Sequence, residues 1–338
     1  MLWLHIGMPK TGTTALQGFL RGNRRVLPEI GLRYMEAGRR RPDGAGNLPI
    51  SHNRIVFGMN QRHGNLDEFR KALAEEYAAH RDKTCLVSSE MFYTVDMVRL
   101  AEVFADIPAD EVKITFYCRR YSDFFEADYK QRAKNGRIQG GATGYVRQRL
   151  EEIEAAPERH NFSGRVEQIR AAFPGAAIEP RLYDRRQMRN GNVIDDFFDR
   201  MGVAIPDGVS TDMPANPSLS RVASEAFGIV TRAMGKKESR RLRRQAVTGP
   251  VMLRRRDVLE ADERAWLDDY LAASDAAFAN EFFPDRDTLF RPVALSEEER
   301  AFRRDSPEEA EAFHRACEIV FRMALLRQTA LRSADDSS

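Results

Sequence analysis

The sequence predicts an α/β protein: a parallel sheet flanked by helices, with a helical C-terminal part. Three observations lead there. Short apolar runs of strand length alternate with amphipathic helical stretches, the pattern of βαβ units. The first run ends in a glycine- and threonine-rich loop that opens a helix. The chemistry-bearing residues follow the apolar runs, where open parallel sheets bind ligands beyond their strands.

The first run is Leu2–Ile6 (LWLHI), and helical character follows over Thr14 to Arg21. An amphipathic stretch around Leu66–His80 precedes the second run, Thr84–Ser88 (TCLVS). The third, Val112–Cys118 (VKITFYC), ends in Arg119-Arg120 and leads into a helix from about Asp123 to Lys134. The fourth, Ala177–Tyr183 (AIEPRLY), contains Pro180, which cannot donate to a ladder and so points to an edge position or an irregular strand. Helices are expected before and after it, at Phe162–Phe173 and Val193–Met201. Residues 36–65, rich in Gly, Arg, Pro and Asn, read as a long loop that binds an acceptor or closes as a lid.

The charge-dense stretch within 210–275 reads as a helical insertion or cap, and an α/β domain is expected over 1–292. A helical extension is expected over 293–338. Ser306 serves as its N-cap, with Pro307 at N1 and Glu309 at N3. Ala310, Phe313, Ala316, Val320, Met323 and Ala324 form an apolar stripe that packs on its own domain or, as a second reading, on a homodimer partner. The final SADDSS is expected to be disordered.

Composition excludes several classes. The 53 basic and 51 acidic side chains nearly cancel, so a net charge of +2 gives no electrostatic case for nucleic acid. The runs Arg39–Arg41, Lys236–Arg244 and Arg254–Arg256 suit an anionic polysaccharide or nucleic acid, but read more economically as solvated faces balanced by nearby acids. Three scattered cysteines support neither a disulfide framework nor a zinc site, and no His/Cys/Asp/Glu cluster has metal-ligand spacing. With no leader pattern and no 18-residue apolar run, the expectation is a cytoplasmic protein without an integral membrane segment.

The loop Gly7-Met-Pro-Lys-Thr-Gly12-Thr-Thr14 is the most specific motif. Glycines let a phosphate approach the backbone, and a helix N-terminus attracts it. A Walker loop has lysine directly after its second glycine and a hydroxyl for Mg²⁺. Here Thr13 stands after Gly12, and Lys10 comes three positions early. No strand ends in a Walker B aspartate. The loop is therefore expected to hold a phosphate without a metal.

The string HIGMPKTGTTALQ resembles the 5′-phosphosulfate loop of sulfotransferases that use 3′-phosphoadenylyl sulfate (PAPS), and it is especially similar to bacterial members. The resemblance implies a P-loop-like sulfotransferase fold, PAPS as donor and no metal cofactor. It assigns Lys10 to the bridging oxygen and leaving phosphate. Thr11, Gly12, Thr13 and Thr14 would bind the cofactor. Arg119 resembles the family's 3′-phosphate arginine, with Asp123 as the aspartate four residues on. The family's serine eight residues after the arginine is Ala127 here, a lost hydroxyl contact worth about 0.5–1.5 kcal/mol. Ser122 is not expected to replace it, because it reads as part of the turn before the helix. Tyr183-Asp184 resembles the family's Tyr-acid pair, whose tyrosine reaches the nucleotide. Softer similarities are Asn216–Ser220 and Asn280–Phe290, so the likeness spans about residues 1–292.

Ser88-Ser89-Glu90-Met-Phe-Tyr93 resembles the carbohydrate sulfotransferases, in which a glutamate deprotonates the acceptor. Glu90 is the candidate base and tilts the acceptor toward a saccharide. Its competing reading is a carboxylate complementing a helix dipole, with Ser89 as cap. His52, in PISHNR, is the backup base. His5 reads as a satisfied sheet residue, and His63, His80, His160 and His314 lie in polar or helical stretches. The alternatives are a P-loop kinase or a nucleotide-binding protein that has lost catalysis.

Overall fold

The computed structural model describes residues 1–39, 48–60, 66–212, 218–244 and 249–335. From the N-terminus come β1 (Leu2–Ile6), α1 (Thr13–Gly22), β2 (Leu32–Tyr34), α2 (Asn53–Asn60), α3 (Leu66–Ala79), β3 (Thr84–Ser89) and α4 (Met97–Val103). Then follow β4 (Val112–Cys118), α5 (Tyr121–Lys134), α6 (Gly141–Ala155), α7 (Phe162–Ala172), β5 (Ala177–Leu182) and α8 (Val193–Arg200). Four further helices complete the chain: α9 (Arg221–Arg243), α10 (Ala261–Phe282), α11 (Glu297–Ala301) and α12 (Pro307–Asp335). No helix among the described residues is long and apolar enough to cross a membrane.

The chain divides into two compact units. Met1–Arg120, Glu158–Pro214 and Ser274–Arg291 form the first, and Tyr121–Pro157, Ala215–Ala273 and Pro292–Ser338 the second. Pro292–Ser338, expected as a separate extension, falls in the same compact unit as Tyr121–Pro157 and Ala215–Ala273, and α12 shares an apolar cluster with α9.

In the first unit the sheet order is β2-β3-β1-β4-β5, and every pairing is parallel. Central β1 is buried at all five positions, as a mostly apolar run in the middle of a parallel sheet requires, with His5 as its one polar member. β5 lies at the edge, where Pro180, in register with Phe116, withholds no ladder bond from a second neighbour. β2 went unseen in the sequence because LRY is too short to show a period. The stretch 36–65 differs from a plain loop: Asn53–Asn60 is helical and buries Ile55, Val56 and Met59. Residues 40–47 and 61–65, where the acceptor-binding or lid segment was expected, lie outside the described residues.

One core cluster sets Trp3 of β1 against α1 and α8. Trp3 meets Phe197 edge-on at 5.9 Å, and Phe19 meets Phe198 at 5.4 Å. Each such buried ring contributes about 1.5–3 kcal/mol. Asn192 caps α8 by accepting the Ile194 N–H at 2.9 Å. Buried Asp196 then accepts Tyr117 Oη–H (2.8 Å) and Arg181 Nη2–H (2.9 Å), tying α8 to β4 and β5.

The second unit is helical. Buried Glu126 on α5 accepts the backbone N–H groups of Asp257, Val258 and Leu259 and a 2.9 Å bond from Arg264. Most of the α12 stripe packs on α9: Ala316, Val320 and Ala324, flanked by Phe313 and Met323, cluster with Val222, Ala226, Phe227 and Val230, while Ala310 is exposed. Ser306 Oγ accepts the Glu309 N–H at 3.3 Å, closing the first turn. Arg254 and Arg256 are paired, to Glu298 and Glu309 and to Asp123 and Glu299 respectively. Arg40 and Arg41 lie outside the described residues, and Arg39 is fully buried among the carbonyls of Met35, Pro49 and Tyr34.

Candidate functional site

Register explains why the candidate residues meet. β1 pairs with β3 so that Ile6 lies opposite Ser89, and Gly7 N–H donates to Ser89 O at 3.1 Å. The next residues, Gly7 and Glu90, leave the sheet side by side. On the other flank Cys118 lies opposite Leu182, so Arg119 and Tyr183 emerge together, with Tyr183 N–H on Cys118 O at 2.7 Å. Four strand ends thus deliver the loop, Glu90, Arg119 and Tyr183 to one rim.

The loop itself leaves no space for side chains at its glycines. A Cβ on Gly7 would collide with Thr13 Cγ2. One on Gly12, where φ is +76°, would stand 2.9 Å from Val193 Cγ1 and 3.2 Å from Tyr183 Cε2. Gly12 caps α1 through its left-handed conformation rather than through a side chain. Ala15 and Leu16 N–H groups return to Gly12 O, so the N–H groups of Thr13 and Thr14 have no partner inside the helix. Lys10 also has positive φ (69°), which costs a residue with a Cβ about 1–2 kcal/mol. Arg119 Nη1–H donates to Lys10 O at 2.8 Å and holds that conformation, while its guanidinium lies 5.8 Å from the Tyr183 ring.

The threonines separate by role. Thr11 is buried and donates to Met8 O at 2.6 Å, so its hydroxyl shapes the turn. Thr13, also buried, donates to Glu90 Oε2 at 3.1 Å. Thr14 is exposed at the first turn of α1. Glu90 opens a 3-10 turn, Glu90–Thr94, that Ser89 caps by accepting the Met91 N–H at 3.1 Å. Cap and carboxylate functions therefore coexist. Ser89 makes the cap, and Glu90 faces the loop.

Asp184 supports the rim through its hydrogen bonds. Burial disfavours its charge, yet hydrogen bonds from Arg186 and Gln187 prevail and draw its pKa down to about 2.

His52 does not join this group. It is fully buried: Nδ1 lies 3.1 Å from Ser88 N–H, and Nε2 lies 3.0 Å from Met35 O, so the proton sits on Nε2. Burial first, and the Arg39 charge second, lower its pKa to about 3. His5 is likewise neutral, with pKa lowered to about 3 by burial. Its Nδ1 bonds Ser88 Oγ at 2.8 Å, which in turn accepts Gln17 Nε2–H at 3.1 Å, a network without a sequence signal.

Ser122 proves to lie inside the first turn of α5, contrary to the expected turn position. It is buried and accepts Arg264 Nη1–H at 2.9 Å. Asp123 is engaged by Arg256 and Arg264. Asn216 lies outside the described residues, whereas Ser220 caps α9 by accepting the Ala223 N–H. Among the described residues no group of three or more His, Cys, Asp and Glu is arranged to hold a metal.

Comparison with known proteins adds little chemistry. No family profile matches the chain. It is similar to an uncharacterized protein of Archaeoglobus fulgidus, at 28% identity over 139 residues, covering 41% of this chain and 36% of that protein. The chain thus matches about a third of that relative's length. No solved structure matches.

Proposed function

We propose that this protein is a PAPS-dependent sulfotransferase acting on a hydroxyl or amine of a saccharide-class acceptor. One observation carries the reading: Thr13, standing where a Walker loop has its lysine, donates its hydroxyl to Glu90 and so holds that carboxylate against the loop. A carboxylate held against a phosphate loop favours chemistry in which that carboxylate takes a proton beside the transferred group. The fit of the nucleotide rests on the loop: glycines with no space for a Cβ, and Lys10 held in strained geometry by Arg119.

Lys10, with the loop amides and the α1 N-terminus, would hold the phosphosulfate and neutralise charge on the departing phosphate. Arg119 would pair with the 3′-phosphate, and Tyr183 would support the nucleotide beside it. PAPS would supply the sulfuryl group: the new S–O bond to the acceptor forms as the bridging O–S bond breaks, releasing PAP. Glu90 would accept the acceptor's proton. The buried, neutral His52 has both nitrogens engaged, so it contributes positioning of Ser88 and not proton transfer.

The test is turnover of ³⁵S-labelled PAPS with a saccharide panel, with EDTA present. Label transfer that survives EDTA and is lost in Lys10→Ala is expected. Transfer from ATP that EDTA abolishes would favour a kinase instead.

A further inference from the structure

We propose that Arg165, seated on Tyr93, forms an anion subsite for the acceptor, so the substrate carries a carboxylate or sulfate ester near its reacting hydroxyl. This rests on the sulfotransferase reading and adds the substrate's charge. In the 3-10 turn Glu90–Thr94, residues three apart share a face, so Tyr93 lies on the side of Glu90. The Tyr93 ring packs against Phe116 of β4 at 5.8 Å, and the Arg165 guanidinium lies over it at 5.0 Å.

Topology puts Arg165 at the same rim. It sits in the first turns of α7, the helix that runs into parallel strand β5, so the start of α7 lies at the end where β3 and β4 finish. Several other arginines of this unit have carboxylates: Arg33 has Glu76, Arg170 has Glu167 and Glu281, and Arg181 has Asp196, while buried Arg39 is held by the carbonyls of Met35, Pro49 and Tyr34. Among the described residues Arg165 has no carboxylate in ion-pair reach, although it is half-buried and burial works against its charge. A guanidinium in that state offers its planar fork of donors to an incoming planar or tetrahedral anion.

Calorimetry on the full chain, saturated with PAP, tests this with methyl β-D-glucuronide and methyl β-D-glucoside. The glucuronide is expected to bind at least ten-fold more tightly. Arg165→Gln should erase that preference while leaving PAP affinity within two-fold, and Arg165→Lys should keep part of it. Equal binding of the two glycosides, binding of neither, or weakened PAP binding in Arg165→Gln would each overturn the proposal. Should Arg165→Gln fail to fold, the wild-type comparison of the two glycosides still decides. Wild-type protein that does not bind PAP would instead sink the sulfotransferase reading, and the subsite with it.

Discussion

Gly12→Ala should be among the costliest methyl additions in this protein, and the cost can be worked from two sources. At φ +76° an L-alanine pays the left-handed penalty of about 1–2 kcal/mol. Its Cβ would also stand 2.9 Å from Val193 Cγ1 and 3.2 Å from Tyr183 Cε2, overpacking that costs about 1–3 kcal/mol. The combined loss is about 2–5 kcal/mol. Val193→Ala removes the nearer clash, so the double variant should fall short of additivity by about 1 kcal/mol. Gly18, in the same helix with nothing within 4 Å of its would-be Cβ, is the control. Gly18→Ala should stabilise by about 0.5–1 kcal/mol through helix propensity. Urea denaturation of the four variants measures all of this. A Gly12→Ala cost below about 1 kcal/mol, or strict additivity with Val193→Ala, would refute the loop geometry.

Three further outcomes are expected. Glu90→Gln keeps an oxygen for the Thr13 hydroxyl, so stability should move by no more than about 1 kcal/mol. Sulfuryl transfer should fall by about 10²- to 10⁴-fold, with PAP affinity unchanged; a retained rate would leave Glu90 as a structural carboxylate. His5 and His52, both lowered to about 3, stay neutral in the fold while unfolded histidine protonates near pH 6.5. The unfolded chain therefore binds more protons between pH 6.5 and 3. Stability should be full above that window and fall as pH drops through it, by up to about 1.4 kcal/mol per pH unit for each histidine. His5→Gln should remove about one histidine's share of that slope, and an unchanged slope would contradict the assignment. Glu126→Ala, which strips a buried carboxylate from three backbone N–H groups and Arg264, should cost about 3–5 kcal/mol in urea unfolding; a loss under 1 kcal/mol would show that the α9–α10 connection does not depend on it.

Much of the first unit was legible because its signals are local. Leu2–Ile6 and Val112–Cys118 match their strands residue for residue, since central parallel strands carry mostly apolar runs. Pro180 marked the edge for a reason that acts within one residue. What stayed hidden depends on distant pairing. The contact of Thr13 with Glu90 follows from the Ile6–Ser89 register, which no spacing along the chain reveals. The burial of His52 comes from Ser88 and Met35, 36 and 17 residues away. Ser122 was misplaced because the helix begins at Tyr121, two residues before the expected Asp123 and directly after Arg120, which is not a side chain that caps helices. Arg165 carries no local signal, because its seat on Tyr93 joins residues 72 apart in the chain.

The central claim is that the loop and Arg119 hold a nucleotide bearing a 3′-phosphate. Calorimetric titration of PAP without magnesium, on wild type, Lys10→Ala and Arg119→Ala, tests it most directly. Adenosine 5′-phosphate and ATP serve as controls. PAP should bind, adenosine 5′-phosphate should bind far more weakly, and both substitutions should weaken PAP by at least ten-fold. Absent PAP binding, or ATP binding that requires magnesium, would contradict it.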